Sequence, residues 1–194
     1  MEKRDLYNRY KENTQSTILK EQEIPDDYYT LVVTVLIQNS KNEILIQKRS
    51  KQKGGEYGLT SGHPKSGENS LTGIISEIKE ELGMEAQPQE LKLMYSTRDD
   101  SNKCFYDLYY LKKDYKKEKM LLQKEEVEKV YWLSEEKVKE LCTRGEFKES
   151  HIEAFEILMK KINGKYWQIL NIDIKWKKLE QGGWELCLWL LNGI

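Results

Sequence analysis

One stretch, GHPKSGENSLTGIISEIKEELGM from Gly62 to Met84, constrains the chain more than any other. It sets a glycine- and serine-bearing loop before a segment whose apolar residues recur at helical spacing. At about 100° per residue, Leu71, Ile75, Ile78 and Leu82 fall on one stripe with Ile74 at its edge. A helix over about 69–82 therefore lays that face on a core, and Gly83 closes it at the C′ position. Glu77, Glu80 and Glu81 form a second stripe, and Lys79 points to another face. Like charges three and four residues apart cost an isolated helix about 0.2–0.5 kcal/mol per pair. A hard divalent cation reverses the sign of that interaction, because clustered carboxylate oxygens are what Mg2+ takes. For three glutamates alone, a solvated acidic face is the other reading.

The flanking sequence supplies a sheet. YYTLVVTVLIQ (28–38) is rich in β-branched and aromatic residues and reads as a buried strand. NSKNE turns it into ILIQKR (44–49), a hairpin pattern, and KQKGGEYG (51–58) is a loop. LKLMYST, CFYDLYYLK and VEKVYWL (127–133) read as further strands. Ser134 caps a helix to about Cys142, and Ser150 with Glu153 fits a capping box opening a helix to about Ile162. Residues 1–28 are a polar lead with a turn at Pro25-Asp26-Asp27. Strands mixed with three helices, without regular βα alternation, predict the α/β class: an α/β sandwich around a mixed sheet. A chain of 194 residues is long enough for one domain with a good core and marginal for two.

We place that domain at 1–163 and a separate extension at 164–194. In the extension, LNIDIKWK alternates with period two and WELCLWLL follows after EQGG, a hairpin pattern, and four of the five tryptophans lie in the extension. Three readings stand: a hairpin packed on the core, a surface for a second copy of the chain, or an extension without fixed structure.

Bulk properties remove other classes. Thirty-two basic and 33 acidic side chains leave a net charge of -1, so electrostatics do not drive binding to a nucleic-acid polymer. Cys104, Cys142 and Cys187 are odd in number and far apart, forming neither a metal spacing nor a disulfide framework. The N-terminus MEKRDLYNRYKEN lacks an apolar signal region, and the longest apolar run, LCLWLL, is too short to span a membrane. A cytoplasmic protein without a membrane partner is the expectation.

The spacing around the glutamates resembles the Nudix box, G-x5-E-x7-R-E-U-x-E-E-x-G-U with U aliphatic. Gly62, Glu68, Glu77, Ile78, Glu80, Glu81, Gly83 and Met84 match it, and Ser76 stands where the family has arginine. The resemblance covers about residues 5–160. It implies a Nudix-type α/β/α sandwich that hydrolyses a nucleoside diphosphate linked to another group, with Mg2+ or Mn2+ as cofactor. Glu77, Glu80 and Glu81 would bind metal, and one of them, or a later acid, would deprotonate water. Glu125 and Glu126, just before the late strand, are candidates for that extra acid. Arg49, Lys65 and Glu68 are candidate substrate contacts, Glu68 and Gly62 also shaping the loop; Lys48 shares the strand end with Arg49. Tyr28, Tyr29, Tyr57 and Tyr106 are aromatic candidates for stacking on a base. Serine at 76 keeps a donor but loses the charge and reach of the arginine.

Residues 61–68, SGHPKSGE, are also similar to isopentenyl diphosphate isomerase, a Nudix-fold enzyme that uses a cysteine before the Gly-His and histidines on the first strand. Here those positions are Ser61, Thr30 and Thr34, leaving His63 alone. The combined reading is a hydrolase of the isomerase-like branch acting on a small-molecule diphosphate. Isomerase-like chemistry, or a Nudix-fold binding module with feeble catalysis, are the alternatives.

Overall fold

The computed structural model describes residues 2–164, 172–178 and 184–190, the last two spans as backbone. Contacts divide the chain into two units, Met1–Leu158 and Met159–Ile194.

The first unit opens with a hairpin, β1 (Lys3–Tyr7) and β2 (Asn13–Leu19), where the sequence read only as a polar lead. Its signal is weak because only Leu6, Tyr7 and Ile18 of it are buried apolar residues. There follow β3 (Thr30–Gln38), β4 (Ile44–Arg49), β5 (Tyr57–Gly58), β6 (Thr60–Gly62), α1 (Ser70–Leu82), β7 (Leu91–Asp99), β8 (Cys104–Lys112), β9 (Val127–Leu133), α2 (Glu135–Thr143) and α3 (Glu149–Ile162). The main sheet runs β5-β4-β3-β8-β7, with β6 also on β3 and β9 on β4. It is mixed: β3 and β8 are parallel from Thr30 beside Cys104 to Gln38 beside Lys112, and the other pairings are antiparallel.

The expected β3–β4 hairpin exists only at its mouth, where Gln38 pairs Ile44. Beyond it the strands part. β3 gives that edge to β6 (Val33 opposite Gly62) and β4 gives its edge to β5 (Gln47 opposite Gly58), while β9 pairs the other edge of β4 (Gln47 opposite Val130). The gap admits β5 and β6, and the 62–84 stretch leaves from the end of β6.

Alternation along β3 separates two faces. Val33, Val35 and Ile37 join Ile74, Ile78 and Leu82 of α1 in one core cluster. Thr30, Val32 and Thr34 point the other way, into a cavity also lined by Ser150, His151 and Ala154 of α3. Ser134 accepts from the Lys137 N–H as the cap of α2. The capping box expected at Ser150 is not how α3 begins: Glu149 is already helical, so Ser150 lies inside the first turn.

In the second unit, β10 (Ile172–Lys178) pairs antiparallel with β11 (Trp184–Leu190), Ile172 opposite Leu190 and Lys178 opposite Trp184. A tryptophan surface for a second copy of the chain would rest on side chains outside the described residues. Among the described residues no helix is long and apolar enough to cross a membrane.

Candidate active site

The site is built where α1 meets the loop after β6. Asn69 caps the helix, its side chain accepting from Thr72 N–H while the Thr72 hydroxyl accepts from Asn69 N–H. Gly83 ends it at φ +64, a left-handed conformation natural to glycine. The last carbonyls of α1 are taken by a distant segment: Leu121 N–H donates to Leu82 O and Gln123 N–H to Glu81 O, both at 3.1 Å. Those two bonds bring the loop carrying Glu126 against the end of the helix.

The burial of α1 is rotated from the expected stripe. Ile74 and Ile78 are fully buried, and Leu71 and Ile75 only partly. Ile74, expected at the edge, is thus near the centre. Glu81, almost two whole turns later, shares its face and is 5% exposed. Its Oε2 accepts from Gln47 Nε2 at 2.7 Å, and the same amide donates to the Thr60 hydroxyl at 2.9 Å. Burial pushes the Glu81 carboxyl up to about 7; the Gln47 bond opposes the rise and the Glu126 charge adds to it. Glu77 lies against Gly62, where any Cβ would overlap its carboxylate. Burial, then the charges of Glu81 and Glu80, push Glu77 up to about 8.

Glu80 departs from the expected common point. Its side chain is exposed on one side of the cavity and pairs with Lys65. Among the described residues, no three acidic, histidine or cysteine side chains stand close enough to hold an ion as they are. The donor set does fit a hard cation. Glu81 is buried and Glu77 half-buried, both carboxylates are disfavoured as anions despite the nearby cations, and oxygen donors of this kind suit Mg2+ or Mn2+.

The other predicted residues divide. Arg49 lines the cavity and anchors its Nε on Lys53 O at 3.0 Å. Lys65 lines it through the pair with Glu80. Glu126 lines it, held by Lys53 at 2.7 Å; Glu125 is exposed and contributes only a backbone carbonyl, to the Ser50 hydroxyl at 2.6 Å. Glu68 is not on the cavity wall: it accepts from Lys65 N–H at 2.8 Å and from the Ser76 hydroxyl at 2.6 Å. Serine at the arginine position therefore still ties the helix to the loop, by a short neutral donor. Of the four tyrosines, Tyr106 is on the wall, and Tyr28, Tyr29 and Tyr57 are not. Thr34 and Ser61 share a hydrogen bond of 2.9 Å on the wall, and Thr30 is beside them.

Several lining or supporting groups were not foreseen. Glu2, Arg4 and Lys20 come with the N-terminal hairpin, Lys53 from the loop after β4, Lys148 and His151 from around the start of α3, and Gln47 from β4. Gln47 left a trace in the sequence, a polar residue inside the apolar run ILIQ. His151 Nδ1 accepts from Leu59 N–H at 3.1 Å, so the neutral ring carries its proton on Nε2. Burial, then Lys148 and Arg49, push His151 down to about 3; burial, then Arg4, Lys20 and Lys148, do the same to His63. Both rings are uncharged donors or acceptors at neutral pH.

The family model of the NUDIX domain matches residues 28–155, which contain this whole loop and helix. The chain belongs to the Nudix family. An uncharacterized Nudix hydrolase of Listeria innocua is 34% identical over 151 residues, 76% of this chain and 88% of the relative. A second, from Listeria monocytogenes, is 32% identical with the same coverage. A solved structure from Deinococcus radiodurans has a TM-score of 0.65 at 22% identity, covering 80% of this chain and 98% of its own, and shows the fold. The protein is a Nudix hydrolase with the α/β architecture of that family, and the hairpin β1–β2 precedes the matched region.

Proposed function

We propose that this Nudix hydrolase cleaves the phosphoanhydride of a nucleoside diphosphate linked to a further group, using Mg2+ or Mn2+ in the cytoplasm. One observation carries the reading. Glu77, half-buried, and Glu81, buried, are both destabilised as anions and share a cavity of about 520 Å³ with Arg4, Lys20, Arg49, Lys53, Lys65 and Lys148. Acids and cations at that density suit a polyanion joined to the acids by a metal ion. Glu77 and Glu81, with Glu80 or Glu126, would hold the ion. When bound, it supplies charge neutralisation on the phosphoryl oxygens and a stronger nucleophile from water.

The chain's own residues do the rest. Gln47 fixes the Glu81 carboxylate by one charge-assisted bond. Arg49 and Lys148, the cations that most ease ionisation of Glu81, bind phosphoryl oxygens on its side of the cavity. His151 offers an Nε2–H that stays a neutral donor. Glu126, tied to Lys53, is the acid placed to take a proton from water. The residues given these roles all lie within 1–163.

Hydroxyls at Thr30, Thr34 and Ser61 occupy the positions where the isomerase branch places imidazoles and a thiol, so kinship to that branch extends here to the loop and not to its reaction. A second reading, a binding module with feeble turnover, draws on Glu80, whose carboxylate is occupied by Lys65. The test is a Mg2+-dependent turnover screen over nucleotide sugars, dinucleoside polyphosphates, nucleoside triphosphates and short prenyl diphosphates. Phosphate or pyrophosphate release by the wild type, abolished in Glu81→Gln, supports the proposal. Unchanged turnover in that variant overturns the role given to Glu81. Tight binding by calorimetry with no product over hours selects the binding module, and isomerised product selects the isomerase.

A further inference from the structure

The hairpin β1–β2 lies before the matched family region, yet it is fastened to the loop of the site. Ser66 N–H donates to Lys3 O at 2.8 Å and Gly67 N–H to the Asp5 carboxylate at 3.1 Å. Tyr7 and Tyr29 exchange both backbone hydrogen bonds, at 2.8 and 2.9 Å. Leu6, Tyr7 and Ile18 are buried, so the hairpin is seated by packing as well as by hydrogen bonds. This places Glu2, Arg4 and Lys20 on the cavity wall.

Arg4 is the telling residue. Its Nε is a buried donor without a hydrogen-bond partner, alone in that respect among the described buried side-chain atoms. Leaving a buried donor unsatisfied costs about 1–3 kcal/mol, and more for a charged group. Burial lowers the proton affinity of this guanidinium, and Glu2, Glu21 and Glu77 oppose the fall without bonding to Nε. A cation held by a fixed strand, with a donor unspent, suits an anionic oxygen arriving from the cavity.

We propose that Arg4 binds a phosphoryl oxygen of the substrate's diphosphate, which makes the N-terminal hairpin a specificity element of the site. The identity of the ligand as a diphosphate rests on the hydrolase reading. A guanidinium offers five donors in a planar fork that matches phosphate, so Nε and one Nη can take two oxygens of one phosphoryl group. Lys20 is a rim charge instead: its pair with Glu2 is long, 3.4 Å, and partly exposed.

Arg4→Gln and Arg4→Lys test this against inorganic pyrophosphate with Mg2+ by calorimetry, which reads the site without turnover. Melting curves check folding, and steady-state kinetics follow on whichever substrate the wild type hydrolyses. Losing a charge-assisted bond weakens pyrophosphate by about tenfold or more in Arg4→Gln and raises KM by more than it lowers kcat. Arg4→Lys restores part of the affinity, because a point charge cannot make the fork. Unchanged affinity in Arg4→Gln overturns the proposal whether or not its melting temperature falls; a fall alone would make Arg4 structural. A wild type that binds pyrophosphate through Arg4 but hydrolyses nothing overturns the hydrolase reading and leaves this one standing. A wild type that does not bind pyrophosphate overturns the proposal.

Discussion

Replacing Glu81 by glutamine should make the metal-free protein more stable at alkaline pH while removing its turnover. The folded chain binds the Glu81 proton more tightly than the unfolded chain, because burial raises the carboxyl from its ordinary 4.5 to about 7. Stability is therefore favoured at low pH and lost as pH rises through the window from 4.5 to about 7, the reverse of an ordinary salt-bridged glutamate. At about 1.4 kcal/mol per tenfold change in proton affinity, the ionised side chain costs the fold about 3 kcal/mol above that window. Glutamine is isosteric and keeps a neutral oxygen for the Gln47 amide, as the protonated carboxyl does, and the bond to the charged form is already counted in that figure. A gain of about 3 kcal/mol is about 6–12 °C in melting temperature for a chain of this size. The assay is thermal melting followed by circular dichroism at pH 8.5 and pH 5, in chelator and in Mn2+. The gain should appear at pH 8.5 in chelator and shrink to under about 1 kcal/mol at pH 5, where the folded wild-type side chain is protonated. Mn2+ should raise the wild type and leave Glu81→Gln nearly unmoved. A variant less stable than wild type at pH 8.5, or one stabilised by Mn2+ as much as the wild type, would refute the argument that Glu81 is a buried anion penalised by its burial and awaiting a metal ion.

Two further substitutions probe how the loop and helix are joined. Gly62→Ala inserts a Cβ into the space of the Glu77 carboxylate, so that carboxylate, the end of a flexible side chain, must swing out of its place. It should remove most of the metal-dependent turnover at a stability cost under about 1 kcal/mol, and wild-type turnover in the variant would contradict the role given to this contact. Ser76→Ala removes the donor to Glu68 and should lower stability by about 1 kcal/mol, with a smaller effect on kcat than Gly62→Ala; an equal or larger loss of kcat would place Ser76 in the chemistry.

The helix of the site was legible because its information is local. Asn69 and Gly83 mark its ends, and the spacing of Ile78, Leu82 and the glutamates sets its period. The strands 28–38, 44–49 and 127–133 were legible for the same reason, being short apolar runs bounded by turns. The box spacing from Gly62 to Met84 likewise contains everything needed to predict acids beside a tight loop.

Packing decided what periodicity could not. A helix wheel cannot say which side of its apolar stripe faces the sheet centre; the fit of Ile74 into the core rolled Glu81 inward and left Glu80 to Lys65. The split of β3 from β4 depends on β6 and β5 arriving later to take the facing edges, so the hairpin pattern overstated their contact. Arg4, Lys148 and His151 reach the cavity from opposite ends of the first unit. Their placement comes from backbone bonds and buried apolar contacts far from them in sequence, and no local pattern announces a residue whose neighbours are chosen by the fold.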